Sequence, residues 1–329
     1  MLSRRRATLG LSTFALSALA LAAITPALAQ DKFPSRTIRV IVPFAPGGGV
    51  DALARLLAEK MQARLGHTVV VENRAGGSGT VGGNAVMTSA PDGYTVLFSS
   101  NTHTMTKLVT ANPPYDPITD FTAIARAGEA PLLTILASKY PQKTIGEVAE
   151  AAKKEPAAWT AGVPALGSPG HMASLSFNHI TKANITIAPY RGTAPALNDV
   201  VGGHLPLLTD AMIVLLPQAK EGKVKALAIN SAKRSSLAPD VPTAAESGAP
   251  GLEVTAWYGF WGPKGMPADV VATLNKVSSE ALNELAQSGR LAQLGIEPVT
   301  ASPDEFARFQ AAEVKRNGEL LQAANFKPQ

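Results

Sequence analysis

The sequence predicts an α/β protein of two lobes with a ligand cleft between them. Three observations carry that prediction. Short apolar strands alternate with helical spacing over residues 38–98, the same alternation recurs over residues 132–229, and two long helical stretches close the chain. Strands that alternate with helices form largely parallel sheets covered on both faces. Two such series in about 300 residues are enough for two cores of ordinary size.

Residues 38–42 (IRVIV) read as the first strand, which Pro43 and the glycines at 47–49 interrupt. From Val50 the spacing turns helical, with Val50, Leu53, Ala54, Leu57 and Met61 on one face. Residues 69–71 and 94–98 supply two further strands on either side of a glycine-rich turn and a second helix. The second series opens with a strand at 132–137 and a helix at 145–154. Helices near 172–181 and 194–201 follow, then a strand at 225–229. An extended aromatic segment at 252–261 precedes helices at 268–287 and 303–324. The links between lobes are expected near 123–129 and 254–260, with the helical tail returning to the first lobe. That arrangement permits hinge closure around a ligand.

The N-terminus carries an export signature. Arg4, Arg5 and Arg6 precede an apolar stretch over residues 9–24, and Ala27-Leu28-Ala29 forms a small-x-small cleavage site before Gln30. The apolar stretch is shorter than the ~20 residues of a membrane span. The expectation is a chain cleaved near Ala29-Gln30 and released into the periplasm. Residues 1–29 hold three arginines and no acid, so the formal charge of +5 falls to +2 in the mature chain.

Composition narrows the function. Cysteine is absent, which removes thiol catalysis, disulfides and cysteine-type zinc sites. No basic tract mixes with aromatics, so nucleic-acid binding drops out. The histidines, His67, His103, His171, His179 and His204, lack metal-ligand spacing. There is no GxSxG, SxxK or HExxH motif. The chain offers a binder's parts, with no nucleophile, cofactor site or metal site.

Residues 44–51 (FAPGGGVD) are the sharpest local feature: a strand ends, glycines free the backbone, and a helix starts at once. Unpaired N–H groups and the positive helix end then face one spot, an anion site. No Gly-Lys-Ser/Thr follows, so a carboxylate fits better than a nucleotide. Asp51 reads as a helix cap. Residues 77–82 (GSGTVG) match the GxGxxG spacing, but they do not open the first strand–helix unit and read as a tight turn into a helix. Ser99, Ser100, Asn101 and Thr102, after the third strand, either meet a carboxylate or cap a turn. Gly167, Ser168 and His171 mirror the first glycine loop in the second lobe. Arg191 is an anion partner or a surface residue, and Asp210 ends an apolar stretch where it would accept a ligand's donor.

Six ordered blocks then coincide with a known family. They are VPFAPGGGVD (42–51), ENRAGGSGTVGG (72–83), APDGYTVLF (90–98), YDPITDF (115–121), PYRGTAPALNDVVGGH (189–204) and APDVPTAAESGAPGLEVTAWYGFWGPKGMP (238–267). The chain resembles the Bug-type solute receptors, the substrate-binding components of tripartite tricarboxylate transport systems. The resemblance implies a two-lobed, type II-like periplasmic binding protein fold with two crossing segments, closing on a small carboxylate without catalysis. It implies domains at 30–126 plus 257–329 and at 127–256, a monomer, and large and small membrane permease subunits as partners.

By motif, the resemblance puts Ala45, Gly47, Gly48 and Gly49 at the proximal carboxylate, with Ser99 beside them; Phe44 and Asn101 are candidates as neighbours in the same two loops. Gly167, Ser168 and His171 would supply the second lobe, and Asp210 the ligand-selective end. The family's second-lobe loop usually reads Gly-x-Gly-Ser/Thr, where this chain has Ala165-Leu166-Gly167-Ser168. An apolar Leu166 in the cleft would favour an aromatic or longer aliphatic acid. A ligand sensor and a secreted hydrolase or transferase are the rival readings.

Overall fold

The first strand, β1 (Ile38–Val42), lies between β2 (Val69–Asn73) and β3 (Thr95–Ser100), and both pairings are parallel. This computed structural model describes residues 33–329, so the export segment read at 1–29 lies outside the described residues. Helices α1 (Gly49–Leu65) and α2 (Thr80–Met87) make the crossovers, and α3 (Thr102–Val109) follows β3. The apolar positions of α1 at Leu53, Ala54, Leu57 and Met61 are buried, as their helical spacing predicts.

The architecture turns on β4 (Phe121–Ala137), a strand of 17 residues. It is antiparallel to its neighbours and shared by two strand sets. Residues 121–131 pair with β9 (Thr255–Pro263), which itself pairs with β3. Residues 132–137 pair with β7 (Leu207–Ala211) and β8 (Val224–Ile229). The second set continues from β7 to β5 (Thr160–Val163) and β6 (Thr186–Pro189), again in parallel. Helices α4 (Ile145–Lys154), α5 (Pro169–Thr181), α6 (Thr193–Val201) and α7 (Met212–Lys220) belong to this second series.

The expected links at 123–129 and 254–260 are therefore strand, not loop. Register shifts at Ala123/Ala125 and Arg126/Glu129 bend β4 where it passes between the sets. Gly128 sits inside the second shift at φ +102, and a Cβ there would lie 2.9 Å from the Glu297 carbonyl oxygen. Only glycine tolerates both the left-handed backbone and that approach.

The tail folds back as expected, through α8 (Ala268–Gln287), α9 (Arg290–Gln293) and α10 (Pro303–Ala323). A Ser302–Glu305 capping box starts α10. The Trp261 indole N–H donates to Gln310 at 2.8 Å, and Trp257, Trp261 and Phe306 join one buried aromatic core. Among the described residues no helix is long and apolar enough to cross a membrane.

That core also encloses His103. Its ring meets Phe121 edge-on at 4.4 Å and Trp261 at 4.8 Å, and neither ring nitrogen has a hydrogen-bond partner. Burial lowers its pKa to about 3. The unfolded chain's imidazole takes a proton below about pH 6.5 that the folded chain refuses, so stability is lost as pH falls from 6.5 towards 3. His103→Leu should remove about 1.4 kcal/mol per pH unit from the slope of stability between pH 6.5 and 5. Urea unfolding of both proteins at several pH values checks it; parallel slopes would exclude a neutral buried imidazole.

Candidate functional site

The loop after β1 is shaped by Asp51. Its carboxylate accepts the Gly47 N–H at 3.0 Å, two guanidinium contacts from Arg55 at 2.9 and 3.1 Å, and the Asn73 amide at 2.9 Å. Burial pushes this carboxyl up, but the bonds from Arg55, Gly47 and Asn73 prevail and hold it below the usual range. Asp51 is thus not the helix cap the sequence suggested: the N-cap, Gly48, has no side-chain cap, and Asp51 is spent on folding the loop. Gly47 takes φ +86 to turn the backbone, and the N–H groups that open α1 are left without a side-chain acceptor.

Three further junctions meet this one. Ser100 and Thr102, at β3–α3, share a hydrogen bond at 2.8 Å. Ser168 caps α5 by accepting the His171 N–H at 3.1 Å. Asp210, at β7–α7, accepts from Thr193 of α6. Burial raises the Asp210 pKa against the lowering from Thr193 and the Ala211 N–H. These residues, with Phe44, Gly48, Gly49 and Tyr258, line a cavity of about 30 Å³, room for about two waters. Among the described residues that line it, none is Lys, Arg or His. The positive field comes from helix N-termini converging at strand ends.

The cleft is shut. The Ala45 N–H donates to the Arg191 carbonyl at 3.0 Å, and the Leu166 N–H donates to Ser78 Oγ at 3.1 Å, each bond joining one series to the other. Beyond the cavity, Met105, Val109 and Leu321 pack on Met172 and Leu175 in an apolar seam. Burying that seam favours closure.

Of the residues singled out by sequence, Phe44, Gly48, Gly49, Ser168 and Asp210 line the cavity. Ala45 and Gly47 shape its rim through their backbone bonds. Ser99 and Asn101 are buried next to it without lining it, because side chains alternate along β3 and Ser100 takes the inward place. The Arg191 side chain is exposed. Gly167 donates its N–H to His171 Nδ1 at 3.0 Å, and the His171 ring packs edge-on against Phe326 at 5.1 Å, so both build the loop and seam. Leu166 also packs into the seam, away from the cavity lining, so it does not make the cavity's far end apolar as expected. Sequence reasoning missed Thr193 and Tyr258, and within the run 99–102 it settled on Ser99 and Asn101 where the cavity takes Ser100 and Thr102. The alternation at Ser99-Ser100 was the one available signal.

Known proteins share this fold. The family described as tripartite tricarboxylate transporter family receptor matches residues 53–326. Protein BugT of Bordetella pertussis is 36% identical over 300 residues, 91% of this chain and 92% of its own. The periplasmic binding protein BugD superposes with a TM-score of 0.86 at 36% identity, over 90% of this chain and 100% of that one. MatC from Rhodopseudomonas palustris, solved with bound malate, superposes at 0.83 with 34% identity, over 88% and 100%.

A Cβ at Gly49 would lie 3.2 Å from the Ala211 Cβ and 3.3 Å from Ile213 Cγ2, across the closed cleft. Gly49→Val should therefore wedge the lobes apart while leaving the helix content intact. Small-angle scattering should give a radius of gyration above the roughly 19 Å of a compact chain this long. An unchanged radius would mean that the cleft tolerates the wedge.

Proposed function

The chain belongs to the tripartite tricarboxylate transporter receptor family, and from that premise we propose that it captures a small organic acid by lobe closure and delivers it to the transporter's membrane subunits. The observation that carries this reading is the cavity: helix N-termini converge on it and no cationic side chain lines it. Such a site favours an anion through fixed N–H dipoles in a desolvated space. The malate in MatC, a protein of the same architecture, supports a carboxylate.

The mechanism follows from the geometry. The acid docks at the N-terminus of α1, presented by the first lobe, here taken as residues 30–126 and 257–329. The second lobe, residues 127–256, adds the α5, α6 and α7 ends only on closure, so ligand shifts the equilibrium to the shut form. Entry requires opening, because the Ala45–Arg191 and Ser78–Leu166 bonds bridge the two series at the rim. The rim bonds Ala45–Arg191 and Ser78–Leu166 then form over the bound acid. In this reading the protein is a periplasmic monomer released after Ala29, it hands ligand to a large and a small permease subunit, and it catalyses nothing.

Thermal melting of residues 30–329, refolded to strip cellular ligand, against malate, adipate, citrate and aromatic acids tests this. An acid present at about 100 times its Kd adds roughly 2.7 kcal/mol, a rise of several degrees. Silence across the panel would overturn the carboxylate reading.

A further inference from the structure

Tyr258 sits in the middle of β9, opposite Ser100 of β3, and is 1% exposed. Its ring stacks on Phe98 with centroids 6.3 Å apart and planes 10° apart, which fixes where the hydroxyl points. The hydroxyl reaches the cavity. A Cβ at Gly49, the first residue of α1, would lie 3.5 Å from that oxygen. The phenol therefore stands beside the helix end where the acid docks. Asp210 also lines the cavity, and burial, aided by its charge, raises the phenol's pKa and keeps it protonated.

The other polar side chains of the cavity are engaged. Asp51 is held by Arg55, Gly47 and Asn73, Ser100 bonds Thr102, Ser168 caps α5, and Thr193 bonds Asp210. Among the described residues lining the cavity, Tyr258 alone has a buried polar atom with no hydrogen-bond partner. A buried hydroxyl left unpaired is costly, and native structures keep one where a ligand or water completes it.

We propose that Tyr258 is a ligand-contacting residue, its hydroxyl donating to the acid's carboxylate at the N-terminus of α1. This rests on the carboxylate-receptor reading.

Tyr258→Phe in the full chain tests the proposal, with malate, adipate and citrate as probes. The hydroxyl bonds no protein group, so the unliganded variant should melt at or above the wild-type temperature. Its affinity for any probe that shifts the wild type should fall about tenfold or more, as loss of a hydrogen bond to a charged group implies. A variant that melts several degrees lower without ligand would show a structural hydroxyl and overturn the proposal. Unchanged affinity would overturn it as well. If the wild type answers to no probe, the carboxylate-receptor reading fails, and the unliganded melting temperatures still decide whether the Tyr258 donor is unspent.

Discussion

Two antiparallel strands, β4 and β9, belong to both halves of the molecule or abut them, and that constraint arranges everything else. Because β4 pairs first with β9 and then with β7 and β8, the parallel strands of the two sets end at a common cleft. Helices that follow those strands must start there, and their N-termini converge. The register shifts around Gly128 let one continuous strand make the passage. A loop in that place would leave the relative position of the two helix sets undetermined.

The convergence puts positive potential at the cavity although, among the described residues, no cationic side chain lines it. Backbone N–H groups carry the positive field, and carboxylates are kept out of competition. Asp51 faces the first loop but is neutralised by Arg55 and bonded to Asn73 and Gly47. Asp210 is buried with its pKa raised, which lowers the cost of placing a second negative charge nearby. A lysine or arginine in so small a space would bind more anions with less discrimination. Dipoles fixed by the fold have no side-chain freedom to lose when ligand arrives.

Closure draws on a separate source. The seam of Met105, Val109, Leu321, Met172 and Leu175 lies outside the cavity, and Phe326 of the C-terminal tail covers the His171 ring. Its burial contributes to the shut state whatever acid is bound. Leu166 and His171, which look like ligand contacts in the sequence, serve this seam and its loop instead. The same loop thus offers Ser168 to the cavity and its neighbours to the interface, which is a matter of side-chain direction.

The sequence by itself determined the alternation of strands and helices in the first series, the glycine loop that opens α1, and the helical tail. Those features are local: apolar period, glycine and capping chemistry act within a few residues. It did not reveal the short strands β5, β6 and β7 of the second series. Nor did it reveal α3, a helix of eight residues rich in threonine, a weak helix former, or α7, which contains Pro217 and forms where packing supports it. The Ser99-Ser100 pair shows where local reading stops, since only the placement of β3 beside β9 decides which hydroxyl faces inward. Tyr258 is the extreme case. Its place beside the α1 end depends on pairing across more than a hundred residues of chain, and no short-range pattern encodes that.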